Sequence, residues 1–301
     1  MLEYCAIAPL FRLAPFYSRQ LSNSLRLSET QVEPSEPNFI MEHPPTISEP
    51  PSPPPQAPMS LPARLFNVLA TPGEVFEYLK NAPVSTANWL VPALLVIVVS
   101  WLGAWVVFSQ DSIQQQLREI TDQAIEKQIQ KQHLSDQQAE QARVMGAKFG
   151  AIGTKIAAYA APVFIAMVIP FWWGLLLWLI GKVFKANFSY MKGVEVTGLA
   201  GMVGVLDSIL RSLLILIMGN LFASPSLALL IKQFDPQNPV HGLLAAVNIM
   251  SFWALALRAL GLARLSGVGF GRAVVWVFGT WALLTGLFSG FGFAMQKMFA
   301  R

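Results

Sequence analysis

Five long apolar runs decide what this chain can fold into. A helix that crosses a bilayer needs about 20 mainly apolar residues. Trp89 to Phe108 is a 20-residue run without a charge, and Ile156 to Ile180 is an uncharged run of 25. Val196 to Met218, Leu243 to Leu262 and Ala273 to Met295 supply three more. The third carries Asp207 and Arg211, the fourth carries Asn248 and Arg258, and the fifth lies uncharged between Arg272 and Lys297. Inside hydrocarbon the backbone must satisfy its own hydrogen bonds, so runs of this length are read as helices. The expected fold class is therefore all-α, an integral membrane bundle of five transmembrane helices. Pro162 and Pro170 fall inside the second run, where neighbouring helices can accommodate a kink.

Composition agrees with that reading. Charged residues make up 13% and hydrophobic residues 54%, whereas soluble chains carry roughly 25% charge. Too little charge remains to coat a water-facing surface, which excludes a soluble enzyme. The net charge of +4 is read as an orientation signal for the spans, and no nucleic-acid partner is expected. Cys5 is the only cysteine, so neither an intramolecular disulfide nor a cysteine metal cluster can form. His43, His133 and His241 are too scattered for ligand spacing. No Gly-rich phosphate loop with its Lys and no Gly-x-Ser-x-Gly turn occurs. Gly269 and Gly271 precede a span rather than a helix that follows a strand. No cofactor and no metal is expected.

The remaining segments differ in kind. Residues 1–58 form a Pro-rich tail, with 10 prolines between Pro34 and Pro58. Such a stretch lacks backbone donors, cannot build a core and is predicted to be disordered. Met59 opens a more coherent segment and is a second place for translation to start. Residues 59–83 read as amphipathic helices, with Leu61, Leu65, Val68 and Leu69 on one face and Val75, Phe76 and Leu79 on the next. Thr71-Pro72-Gly73-Glu74 between them reads as a capping box with proline at the first helical position. These helices lie on the membrane surface or pack on the bundle; the pattern suits both. The first span occupies residues 84–109.

Residues 110–155 form a Gln-rich segment, with 11 glutamines between Gln110 and Gln141. Ile113, Leu117, Ile120 and Ala124 recur at helical spacing. Ser135 and Gln138 form a capping box, which predicts a break near His133 to Ser135 and a second helix to about Lys148. The segment is read as an extramembrane helical hairpin with coiled-coil character, and residues 156–301 hold spans two to five.

Charge placement orients the bundle. With the amino terminus in the cytoplasm, Lys182, Lys185 and Lys192 lie inside, as do Arg258, Arg264 and Arg272. The third connection then lies outside with only Lys232, which obeys the positive-inside rule. The carboxyl end, with Lys297 and Arg301, falls on the far side.

Asp207 and Arg211 are the candidate polar centre. An Arg at the middle of a span costs roughly 2.5–3.5 kcal/mol on insertion scales. The pair is spaced i, i+4 with the acid first, the favourable order on one helix face. Its readings are an internal ion pair, a polar path or headgroup site, or a shifted span that puts Arg211 near an interface. Asn248 either joins this centre or bonds between helices. Gly198, Gly201 and Gly204, with Gly286 and Gly290, are candidate close-approach positions, within the chain or between copies. Trp172, Trp173, Trp178, Trp276 and Trp281 suit interfacial anchoring or bundle packing.

The chain resembles the Yip-domain family, the Ypt/Rab-interacting membrane proteins of eukaryotes, and in particular its bacterial-type members. The resemblance rests on Arg64-Leu65-Phe66-Asn67-Val68-Leu69-Ala70-Thr71-Pro72-Gly73-Glu74-Val75-Phe76 before the first span. It rests also on Leu175 to Phe184 closing the second span, and on the short basic link into a small-residue-rich third span. It covers about residues 60 to 300. It implies a five-span bundle with a cytosolic amino terminus and a short carboxyl tail on the opposite side. Eukaryotic members are adaptors in vesicle traffic that contact small GTPases. This chain lacks their Asp-Leu-Tyr-Gly-Pro motif, and its Gln-rich connection departs from the compact family pattern.

Two functional readings follow. The first is a non-enzymatic protein of a bacterial inner membrane that organises the bilayer or binds a membrane or cytosolic protein partner, including another copy of itself. The second is a small-solute or ion transporter that uses Asp207 and Arg211. An intramembrane enzyme needs a reactive set at one depth, and no His-Glu or Ser-Lys arrangement is apparent.

Overall fold

The computed structural model describes residues 58–231, 234, 235 and 238–299. The Pro-rich stretch, Cys5, His43, Lys232 and Arg301 lie outside the described residues. The chain is an all-α membrane bundle. Its helices are α1 (Leu61–Ala70), α2 (Pro72–Asn81), α3 (Ala87–Phe108), α4 (Asp111–Gln132), α5 (Asp136–Val183), α6 (Tyr190–Ala200), α7 (Met202–Met218), α8 (Pro239–Ala246), α9 (Ile249–Ser266) and α10 (Phe270–Phe299). Five stretches are long and apolar enough to cross a membrane: α3, α5, α6 with α7, α9, and Phe270–Phe291 of α10.

The amphipathic helices pack on the bundle. Leu65 and Val68 of α1, with Val75, Phe76 and Leu79 of α2, are buried in the main core beside Leu177, Leu199, Leu255 and Leu262. Their polar faces stay outside, while Phe66 is left 71% exposed. Ser60 caps α1 by accepting from the Ala63 amide. Thr71 stands at the start of α2, with Pro72 in the first turn, but its hydroxyl makes no capping bond. The capping box expected there is a proline start without the side-chain bond.

The Gln-rich segment is a hairpin. His133 ends α4 in the left-handed region, and Ser135 with Gln138 forms a capping box at the start of α5. The expected end of the second helix near Lys148 is wrong: α5 runs unbroken for 48 residues, about 72 Å. Gly146, Gly150 and Gly153 are the only breakers available at that point. A glycine costs a helix only about 1 kcal/mol against alanine, too little to stop it. The extramembrane arm therefore continues directly into the second span.

Two other boundaries move. The third span begins at Tyr190 rather than Val196 and changes from α6 to α7 at Gly201. Lys192 is thus a helical residue, 8% exposed, and not a solvated link charge. The fourth span begins at Ile249, because α8 forms a separate short helix that ends before Val247. Arg258 falls in the middle of α9, not in the connection that follows it.

The two ends of the bundle are distinct. At one, α1 and α2 cover the N-terminal turns of α6 and the C-terminal half of α9, and Glu77 pairs with Arg264 at 3.6 Å. At the other, Ile113 of α4 packs with Val107, Ile215 and Ala223, and the Gln116 side chain accepts from the Leu221 amide at 2.7 Å. The hairpin and the third connection therefore share a side.

Candidate functional site

Charged side chains gather in two places in the bundle. The first lies beneath α1 and α2. The Lys192 ammonium donates to the carbonyls of Leu79 and Ala82 at 2.7 and 2.6 Å. These carbonyls close α2, where a cation meets the negative end of the helix dipole. The same ammonium stands 3.0 Å from Glu195 Oε2. Glu195 is fully buried, and its Oε1 accepts from the Ser85 amide and from Asn88 Nδ2, both at 2.7 Å. Asn88 Oδ1 in turn accepts from Arg64 Nη1 at 2.7 Å. One chain of bonds thus ties α1, α2, α3 and α6 together. Removing one partner of such a buried pair costs about 3–5 kcal/mol, because the other charge is left stranded.

None of these four residues was predicted as a site. In the sequence Lys192 reads as a link charge, and Glu195 immediately precedes the apolar run that starts at Val196. A signal was present: Glu195 is the only acid between Glu140 and Asp207, and it follows Lys192 at i, i+3 on the edge of an apolar run.

Close backbone contacts brace this region. Gly174 of α5 faces Gly193 of α6, where a Cβ would stand 2.7 Å from the Gly174 carbonyl oxygen. A Cβ at Gly198 would overlap the backbone of Trp89, and one at Gly204 would stand 3.3 Å from Val96. Gly201 marks the change from α6 to α7. Gly286 and Gly290 differ: a Cβ at either meets nothing within 4 Å among the described residues.

The second place is at mid-span. Asp207 Oδ2 stands 3.9 Å from Arg211 Nη2, an ion contact beyond hydrogen-bond length. Arg211 is half-exposed, whereas Asp207 is largely covered and its Oδ1 is buried without a donor. A cavity of about 180 Å³ opens beside Asp207, walled by α3, α5, α6, α7 and α9. The second charged residue lining it is Arg258, not Arg211. The Arg258 guanidinium lies 4.7 Å from the Trp173 ring centre, a cation–π arrangement. Its Nε is buried with no acceptor. Asn248 does not join this centre; it caps α9 by accepting from the amides of Met250 and Ser251.

Among the described residues no three His, Cys, Asp or Glu side chains converge as metal ligands. Comparison with known proteins gave one kind of result. Searches of curated proteins and of solved structures returned no match. The family model for the Yip1 domain matches residues 66–291. That interval begins within α1, whose Arg64 and Leu65 stand just before it, and takes in α2, the hairpin and all five spans. The chain belongs to the Yip1 domain family of membrane proteins.

Proposed function

We propose that the chain is a non-enzymatic scaffold of a bacterial inner membrane, with its amino terminus in the cytoplasm, that organises the bilayer or binds a partner protein. One observation carries the reading. Met145, Phe149 and Ile152 on the arm of α5, continued by Ile156 at the first turn of the span, are 57%, 53%, 51% and 63% exposed and recur at spacings of 4, 3 and 4. That is the seam by which one helix meets another. The α4 helix covers a different face of α5, where Ile125 and Thr121 meet Gly146 and Gly150. An apolar row left outside on an extramembrane arm marks a contact surface, and a membrane protein or a second copy of this chain fits it. The orientation rests on Lys182, Lys185, Arg264 and Arg272 sharing one side, as the positive-inside rule requires of the cytoplasmic face.

Photo-crosslinking residues at Phe149 and Ile152, in native membranes, test the reading. Discrete protein adducts are expected, and Met145→Glu with Ile156→Glu should abolish them. Adducts that survive both substitutions, or lipid adducts alone, would remove the arm as the contact surface. The cavity beside Asp207 favours a second reading, passage of a small solute or ion. Equal flux of wild type and Asp207→Asn in proteoliposomes, above empty vesicles, sets that reading aside.

A further inference from the structure

We propose that the cavity between Asp207 and Arg258 is a binding site for an oxyanion that carries its own hydrogen-bond donor. The head of a phospholipid with a hydroxyl or ammonium group is one source of that chemistry, and a free phosphate ester is the other.

The argument starts from Arg258. A guanidinium carries five N–H donors in one plane and keeps its charge at any accessible pH. Here one face is covered by Trp173 at 4.7 Å, which satisfies the π-facing side and none of the in-plane donors. No carboxylate stands within 4.0 Å of it and no acceptor bonds to it among the described residues. Its Nε is buried. Arg258 lies near the middle of α9, nine residues after Ile249 and eight before Ser266, hence about 12–14 Å from either end of that helix. A planar fork held at such a depth matches the paired oxygens of phosphate or carboxylate.

Asp207 supplies the opposite half. Its Oδ1 is buried and lacks a donor, and its Oδ2 has only the long contact with Arg211. The cavity thus presents donors from one charged side chain and an acceptor from another. Between them the wall is largely apolar, with Val96, Ile165, Ala166 and Ala254 among the lining residues. Ile165 is 54% exposed, so the cavity opens onto the outer surface of the bundle, which in a spanning protein meets acyl chains. An anion alone would satisfy Arg258 and repel Asp207. An anion with an attached hydroxyl or ammonium satisfies both.

Phosphatidylcholine makes the proposal testable, because its trimethylammonium has no N–H to donate to Asp207. The full chain is reconstituted in phosphatidylcholine nanodiscs doped with phosphatidylethanolamine or phosphatidylglycerol, and retained lipid is counted by native mass spectrometry. The doped lipids are expected to be enriched about tenfold over their share of the bilayer, the worth of one charge-assisted hydrogen bond. Arg258→Gln should abolish the enrichment, and Asp207→Ala, which removes the acceptor as well as the charge, should remove the preference over phosphatidylcholine. Ala254→Leu, which fills the cavity and leaves both charges, should also abolish it and guards against misfolding of the arginine variant. A parallel arm adds sn-glycerol 3-phosphate and reads thermal stability. A shift lost in Ala254→Leu, without lipid enrichment, assigns the site to a soluble ester. The proposal is overturned if wild type shows neither enrichment nor shift, or if Ala254→Leu retains them in full.

Discussion

The two charged centres of this bundle lie about 18 Å apart along one span, 12 residues at helical rise from Glu195 to Asp207. They use the same chemistry in opposite ways. Around Glu195, the ammonium of Lys192 and the amide of Asn88 stand within 3.0 Å of the carboxylate, and backbone carbonyls take the remaining ammonium protons. Around Asp207 the nearest cation is 3.9 Å away, and a second cation, Arg258, stacks on a tryptophan without any acid. The first arrangement fastens helices together. The second leaves charge available inside a cavity. Burial of a charge alone therefore does not mark a functional site: Glu195 Oε2 and Asp207 Oδ1 both lack a hydrogen-bond partner among the described residues, and what separates the two centres is how close the opposite charge stands, 3.0 Å at Glu195 against 3.9 Å at Asp207.

The largest effect expected from breaking this contrast comes from Glu195→Ala. It strands Lys192 and Asn88 and should cost about 3–5 kcal/mol, read by denaturant unfolding in micelles, with early proteolysis of α1 and α2. Glu195→Gln keeps an oxygen for Ser85 and Asn88 and should cost visibly less. If both leave unfolding unchanged, the network does not hold the amphipathic helices. Next comes Gly198→Val, which drives a side chain into the backbone of Trp89 and should cost about 1–3 kcal/mol as an overpacked contact. Gly286→Val is its control, because open space surrounds that position; a loss of similar size there would mean that a second chain covers α10. Arg211→Gln breaks one long ion contact but also takes a charge out of the span, two effects of opposite sign, so its net change should be smaller than that of Gly198→Val in the same unfolding assay. A large loss would show that Arg211, not Arg258, is the working partner of Asp207.

The smallest effect belongs to the hairpin. The Glu126 carboxyl is held below its ordinary value, chiefly by the hydrogen bond from Arg143 at 2.7 Å. A carboxylate lowered in the folded state adds stability above its unfolded value, and that contribution is lost as pH falls through the folded one. Both groups are exposed, so the effect is a modest loosening of α4 from α5 as the solution is acidified below the ordinary Glu range. Hydrogen exchange along residues 111–145 reads it. Glu126→Gln should remove the pH dependence, and an unchanged profile in that variant would assign the loosening to other groups.

Much of the fold was legible because span length and apolarity are local properties. The uncharged runs at Trp89–Phe108 and Ile156–Ile180 need no tertiary information to be read as helices, and the Ser135–Gln138 box announces its own helix start. What escaped depends on partners distant in sequence. Lys192 reads as a link charge until the end of α2, 113 residues from it, is brought over it. Arg258 reads as one of the basic charges on the inner side of the fourth span until Trp173 is placed across from it. Asn248 reads as mid-span glue because nothing in its neighbourhood reveals that α8 stops short and leaves it to cap α9. Asp207 reads as a charged mid-span residue, but its cavity comes from five helices and has no signature in any one of them.

The unbroken length of α5 has a mechanical consequence. The helix that carries the exposed row also supplies Ile165 and Ala166 to the cavity wall, so no loop isolates one from the other. A load applied to the arm is delivered to the bilayer interior as a lever delivers torque, through a rod whose outer part is about 30 Å long, 20 residues from Asp136 to Lys155. The rod has two soft points, Pro162 and Pro170, each lacking one backbone donor. They flank the cavity-lining turn, and the Pro170 carbonyl is pinned to the third span by the Thr197 hydroxyl at 2.7 Å. Bending of the arm at these prolines falls in the stretch of α5 that lines the cavity shared with Arg258.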